Sequence, residues 1–481
     1  MGQRHRPDHT GRPDPEGEPG MAHLGSTILW HETLGPRRPR PPLTGTRTAD
    51  VVIVGGGYTG LWSALHLKES APDLDVVVLE AHDVSYGASG RNGGFAMTLL
   101  DFDLHRFAGN WGDEAAAHAH RAVARSVREI VDTVEAAGID ADLEHTGLLR
   151  VATNDAQLAR VERERATAER LGLTGFDLLD QAGTRALLDS PSYLGGLTEA
   201  DCAIVNPAKL AVGLAELAVA RGVAVHEGSP VLDLSETPGG VVATTPHGQV
   251  RAETAILATN AWAHRHPAAR GWSAPLYTYI VVTEPLSEAQ WEAIGWQGRH
   301  GVEDARNYVH YFRPTRDGRI LWGGTDAVYR YGGPISPRRD RHEAIRRRLE
   351  AELVTSFPQL GRVRFTHHWG GPISITGRFV PRIGSFDGGR VHYAFGYSGH
   401  GVAPAHTAGR ILRDKVLGRD TEDTAVCFVD HPQTSFPPDP LTWIGAELTR
   451  RLLQRQDRKM DRGQDSGDVD PLLLRVLDRL P

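Results

Sequence analysis

The stretch VVIVGGGYTGLW, residues 51–62, constrains what this chain can fold into more than any other. Its apolar start reads as a buried strand and residues 58–70 as a helix. Between them Gly55, Gly57 and Gly60 stand in G-x-G-x-x-G spacing. The first two glycines allow a tight turn and the close approach of a pyrophosphate, and the third lets the helix pack on the strand. A second apolar run, DVVVLE, ends at Glu80, twenty positions after Gly60, where a carboxylate accepts hydrogen bonds from ribose hydroxyls. A glycine-rich turn alone could be plain surface. Strand, turn, helix, strand and terminal acid together predict a dinucleotide site, with Tyr58 and Thr59 inside the turn among its contacts.

A second turn of this kind stands near the other end of the chain. The strand-like RVHYAF, residues 390–395, runs through Gly396, Gly399 and Gly401 into an expected helix. Such a turn brings backbone N–H groups and the positive end of a helix up to a negatively charged ligand. After the first strand–helix–strand unit comes a polar glycine-rich loop, SYGASGRNGG (85–94), where an NAD domain would begin its second half. Only residues 223–262 and 390–417 offer further strands for the same sheet. A sheet built from three separated pieces around an inserted domain suits a large, fixed cofactor, and FAD is expected.

The predicted fold is α/β, a Rossmann-like FAD-binding domain assembled from three sequence segments with an inserted antiparallel-sheet (α+β) substrate domain. Residues 30–100, 201–265 and 386–420 form the FAD-binding segments. Residues 101–200 are helical and begin the substrate domain, and 266–385 supply its antiparallel sheet. Residues 1–29, rich in Gly, Pro, Arg and His, read as a disordered tail. Residues 421–481 form an extension whose Leu441, Ile444, Leu448 and Leu452 mark one face of an amphipathic helix.

Composition narrows the function. A net charge of −7 gives no reason to expect nucleic acid. No apolar run is long enough to span a membrane, and no secretory h-region opens the chain. The two cysteines, Cys202 and Cys427, can form neither a disulfide framework nor a thiolate metal site, so a reduced, cytoplasmic protein is expected. His367 and His368 lack ligands at metal spacing, and no metal is expected. The basic cluster of the C-terminal helix (Arg450, Arg451, Arg455, Arg458, Lys459) leaves two readings open: a membrane-surface or partner-binding element, or a helix packed on the flavin domain with its charges in water.

The motifs VVIVGGGYTGLW, GASGRNGG, AILATNAW, DGRILWGG and GYSGHGVAPAHTAGRIL, in this order, resemble the FAD-dependent amine and amino-acid oxidases, and most of all their γ-glutamylputrescine oxidase-like branch. The resemblance implies flavin contacts from Ala88, Ser89, Arg91, Asn92, Gly93 and Gly94, and from Gly399, His400, Gly401 and Val402; Val231 in the middle segment is a further expected cofactor contact. It implies FAD held non-covalently, since no cysteine stands near the C-terminal turn. Ala403 occupies a position where sarcosine-oxidase-like members carry a lysine. Members acting on α-amino acids carry an arginine about eight residues before a P-x-I-G segment; here Ile373 or Ser374 stands there, with Arg378 an alternative clamp.

Candidate catalytic residues are His400, Tyr311 and Arg91. For His400 a flavin-proximal role stands against a structural hydrogen bond, and for Arg91 a flavin contact against a solvated loop arginine. Alternation in NYVHYFR places Tyr311 with Asn307, Val309 and Arg313 on one strand face and Tyr308, His310 and Phe312 on the other; the pattern does not say which faces the cofactor. The implied activity is oxidation of a primary or secondary amine, or an amino acid, to an imine by hydride transfer to flavin, with O2 as acceptor and H2O2 as product. The alternative is a dehydrogenase of the same fold that passes electrons to a quinone or carrier protein.

Overall fold

The computed structural model describes residues 28–100, 103–432 and 434–464. Most of the expected 1–29 tail lies outside these residues. Its last two do not: Ile28 and Leu29 are buried with Trp30, because a short helix, Leu29–Glu32, packs onto Ala208, Ile280 and Trp369.

One sheet carries the strand order Arg382–Ser385, Val391–Phe395, Gly248–Leu257, Gly45–Val54, Val76–Leu79, Ala224–His226. Along this order every pairing is parallel except the one at the Arg382–Ser385 edge, and every strand but that one comes from the three separated stretches expected. Val51, Ile53, Val76 and Val78 pack under one helical layer, while Val52, Val54, Val77 and Leu79 pack into a second cluster on the other face. Burial on both faces explains why these strands are unbroken apolar runs. The helical layer contains Tyr58–Ser70, Asp113–Ala136, Pro207–Ala220 and Val402–Val416.

Two segment boundaries differ from expectation. Asp113–Ala136, expected with the substrate domain, packs on Val402–Val416 in the layer beneath the parallel sheet. Arg382–Ser385, expected in the antiparallel sheet, pairs with Val391–Phe395 instead, through a tight turn that outweighs its closeness in sequence to the preceding strand.

The second sheet runs Val328–Tyr329, Ala274–Thr283, Ile320–Gly324, His310–Pro314, Gly301–Asp304, Leu148–Ala152, Gly195–Glu199, Phe176–Leu179, with Phe365–Ile375 also paired to Ala274–Thr283. It is antiparallel except where Gly301–Asp304 meets Leu148–Ala152 in parallel. One face packs Tyr277, Tyr279, Phe312 and Trp322 against the helix Glu343–Ser356. The other face is open towards the first domain.

Beneath this sheet His310 is clasped by two acids. Its Nδ1 lies 2.6 Å from Asp304 Oδ2, and Glu352 approaches Nε2 at 3.0 Å. Burial alone would lower the His310 pKa; the Asp304 carboxylate and then Glu352 override it and push it up to about 9. A histidine raised in the folded state stabilises fully below its unfolded pKa of about 6.5, and that stability is lost as pH climbs through the folded value. The contribution is on the order of 3 kcal/mol. Thermal melts from pH 6.5 to 10 are therefore expected to show wild type losing more stability than His310→Gln; parallel pH slopes would remove His310 from this role.

Candidate active site

The first glycine turn has the geometry its sequence demands. Gly55 sits at φ +112°, and a Cβ on it would meet Ala258 O at 2.6 Å; on Gly60 a Cβ would lie 2.0 Å from Gly55 O. The strand end, the turn and the helix start are thus in backbone contact. Glu80 accepts from the amides of Gly56 (2.8 Å) and His82 (2.9 Å), one on each oxygen, and burial raises its pKa against those bonds. Ser89 Oγ accepts from the Tyr58 amide at 2.9 Å, tying the 88–94 loop to the start of the helix. The amides of Thr59 and Gly60 have no intrahelical acceptor, as a pyrophosphate site requires, while Leu61 already donates to Gly57 O at 2.9 Å. On the far side of Glu80, the Ser229 amide donates to Glu80 O (2.7 Å), and Val231 follows, half-buried against the sheet.

The second turn meets the first. Thr59 Oγ1 and Tyr397 OH are 2.7 Å apart, and the helices Tyr58–Ser70 and Val402–Val416 pack along each other with Trp62 against the His406 ring at 4.4 Å. Two glycine turns 341 positions apart in sequence are thereby joined by one hydrogen bond. Ser398 takes a left-handed φ of +52°, a conformation rare for a side-chain-bearing residue and common at functional turns. The His400 amide, expected as a flavin donor, is committed to Tyr397 O at 2.9 Å; the amides of Gly399, Gly401 and Val402 remain at the helix end.

The 88–94 loop is fixed from above and below. Trp369 Nε1 donates to Arg91 O (2.8 Å) and Trp30 Nε1 to Asn92 O (2.9 Å), while Asn92 Oδ1 accepts from the Gly94 amide (2.7 Å). Arg91 is buried rather than solvated, with Nε on Tyr86 O and Nη1 at 2.5 Å from Asp340. Gly93 lies against the Tyr311 ring, where a Cβ would come within 2.9 Å of Cε2.

Between this loop, the 398–402 turn and the open face of the second sheet is a cavity of about 740 Å³. Ala274, Leu276, Thr278 and Ile280, alternate positions of one strand, line it together with Tyr311, Trp369 and Ile373. Tyr311 is therefore on the cavity face, and His310 and Phe312 are behind the sheet. Burial raises the Tyr311 pKa, so the phenol keeps its proton. The His400 imidazole is on the cavity wall, and burial lowers its pKa, with Glu303 opposing and Arg150 assisting. Farther along the wall Arg150 pairs with Glu303 (2.5 Å) and Glu164 (3.2 Å). Arg378 is not a clamp: it is exposed and stacks over the Trp111 ring at 5.6 Å, because the turn after Thr376 directs it outward. Ile373, one of the two residues counted at the family's arginine position, lines the cavity.

The sequence reading missed three residues here. Asn260, at φ +40°, accepts from the Gly396 amide (3.1 Å) and ties the middle segment to the second turn. Tyr397 and Trp369 were hidden because their partners, Thr59 and Arg91, are hundreds of positions away; only the aromatic–glycine pairings in GYSGHG and HHWGG hinted at them.

The model of the family described as FAD dependent oxidoreductase matches residues 50–415. The chain belongs to that family, and its cofactor is FAD. Gamma-glutamylputrescine oxidoreductase of Escherichia coli (strain K12) is 34% identical over 406 residues, covering 83% of this chain and 91% of that one. Glycine oxidase of Bacillus licheniformis is 24% identical, covering 77% and 93%. Among solved structures, glycine oxidase from Geobacillus kaustophilus superposes with a TM-score of 0.68 at 21% identity, covering 81% of this chain and all of that one. No helix among the described residues is long and apolar enough to cross a membrane.

Proposed function

We propose that this enzyme oxidises an amine with a polar remote end, of the γ-glutamylputrescine type, to the imine, and that O2 is its electron acceptor and H2O2 its by-product. The observation that carries this reading is Ile373 on the cavity wall, one of the two residues counted at the family's carboxylate-gripping arginine, with Arg378 turned away, so that this clamp for a simple α-amino acid is missing. The similarity to the E. coli γ-glutamylputrescine enzyme supports the same substrate type. FAD would be held non-covalently by Gly55, Gly57, Tyr58, Thr59, Gly60 and Glu80 at one end, and by 88–94 and 399–402 at the other. It supplies hydride acceptance and the onward passage of the electrons.

The chain's own residues prepare the substrate. Ile280, Ile373, Trp369 and Tyr311 line an apolar wall that disfavours the ammonium and selects the neutral amine. His400, neutral because of its burial, offers a ring nitrogen as acceptor for an amine N–H. The positive end of Val402–Val416 lies where negative charge is to be stabilised. Arg150, Glu303 and Glu164 give the remote end of the substrate paired charges of both signs.

Anaerobic mixing of the purified holoenzyme with γ-glutamylputrescine, n-butylamine, glycine and alanine tests this. γ-Glutamylputrescine is expected to bleach the flavin about 100-fold faster than either amino acid, a difference of roughly 3 kcal/mol. Faster bleaching by glycine would overturn it. Oxygen uptake during turnover separates the oxidase from the carrier-linked alternative.

A further inference from the structure

The helix Leu441–Met460 lies outside the family match, which ends at residue 415. Its amphipathic stripe is turned the wrong way for ordinary packing. Leu441, Ile444 and Leu448 are 60%, 51% and 44% exposed, whereas Gln456 and Asp457 are buried. Of the two readings the sequence left open, docking on the flavin domain is not what the helix does. Its described partners belong to the antiparallel domain: Arg450 holds Asp326 with two bonds of 2.6 and 2.7 Å, and Asp457 accepts from the amides of Asn307 (2.9 Å) and Tyr308 (3.1 Å). Burial raises the Asp457 pKa, and those amides offset it. Arg306 Nη1 then meets Asp461 at 2.7 Å.

These anchors fasten the helix across the 304–309 and 324–327 loops, both of which line the substrate cavity. Its inward face completes that lining with Thr442, Ala446, Thr449 and Leu453, and the segment leading in adds Phe436 and Pro437. Thr442, Ala446 and Thr449 are small, so this face bounds open volume instead of filling it. A helix that leaves leucines in water and spends ion pairs and a buried aspartate to hold a small-residue face over a cavity is placed by that cavity, not by core formation.

We propose that this C-terminal helix is the end wall of the substrate site and sets the length and head-group size of the amine accepted. The proposal rests on the amine-oxidation reading above. The chain therefore builds its specificity from two parts: residues 50–415 bind FAD, the reacting carbon and, through Arg150, Glu303 and Glu164, the charges of the remote end, while the C-terminal helix sets how far that end extends.

The test compares the holoenzyme with Ala446→Trp, which puts bulk into the end wall, and Arg450→Met, which releases the clasp on Asp326 without adding bulk. Steady-state kinetics are measured with γ-glutamylputrescine and with n-butylamine, and FAD content and melting temperature are recorded for each protein. For Ala446→Trp, kcat/KM for γ-glutamylputrescine is expected to fall about tenfold or more relative to that for n-butylamine, mostly through KM. For Arg450→Met, KM for γ-glutamylputrescine is expected to rise about fivefold with FAD content unchanged. If both variants alter the two amines by the same factor, or lower only melting temperature and FAD content, the helix is a brace and the proposal is wrong while the amine reading stands. If neither amine reduces the wild-type flavin, the amine reading fails and takes this proposal with it.

Discussion

Gly60→Ala is expected to be purified largely without FAD. A Cβ at this position lies 2.0 Å from Gly55 O and 3.1 Å from Ile53 Cγ2, so the Tyr58–Ser70 helix must back away from the strand Gly45–Val54. Both obstacles are backbone or the root of a buried side chain, and neither can rotate aside. Overpacking of this kind costs on the order of 1–3 kcal/mol, and here it moves the first-turn amides proposed to hold the pyrophosphate. Loss of about 2–3 kcal/mol in binding weakens Kd roughly 100-fold. Calorimetric titration of the apoprotein with FAD, with circular dichroism to establish that the variant is folded, measures it. A folded variant with unchanged affinity would mean that this turn does not carry the pyrophosphate.

The second large effect is expected at His400. Its imidazole is on the cavity wall, and burial holds its pKa below the ordinary 6.5, so it is neutral across the pH range where amines lose their proton. His400→Ala should lower the rate of flavin reduction about 100-fold, the lower end of what a positioned proton acceptor contributes. The sign of the pH dependence is fixed by the same shift. Because the histidine is already deprotonated above pH 7, the rise of the reduction rate with pH follows the substrate amine, and the variant should lower the plateau without moving the midpoint. Stopped-flow reduction at a series of pH values reads both quantities. A variant within twofold of wild type would leave His400 a structural residue of the turn.

The sequence was most legible where structure is local. The strand–turn–helix around Gly55 and the second turn at Gly396–Gly401 follow from backbone requirements of a few adjacent residues, and strands buried on both faces betray themselves as apolar runs. Legibility ended where a residue answers to a distant partner. Nothing near Arg378 foretells that it stacks on Trp111, and the His400 amide is spent on Tyr397 because of the left-handed Ser398 between them. The C-terminal helix shows the limit best. Hydrophobic periodicity picked out Leu441, Ile444, Leu448 and Leu452 as one face without saying what it meets, and Arg450 and Asp457, which find buried partners in Asp326 and the 307–308 amides, decide which side turns inward. The placement of Asp113–Ala136 in the flavin layer was equally invisible, since its apolar face suits either domain.

Gripping one FAD molecule at both ends requires the two glycine turns to respond together. Hydrogen–deuterium exchange of the apoprotein, before and after reconstitution with FAD, tests this most directly. Slowed exchange is expected in peptides covering 55–60 and 396–402 alike. Protection limited to the first of them, with 396–402 exchanging as fast with FAD as without it, would contradict the account.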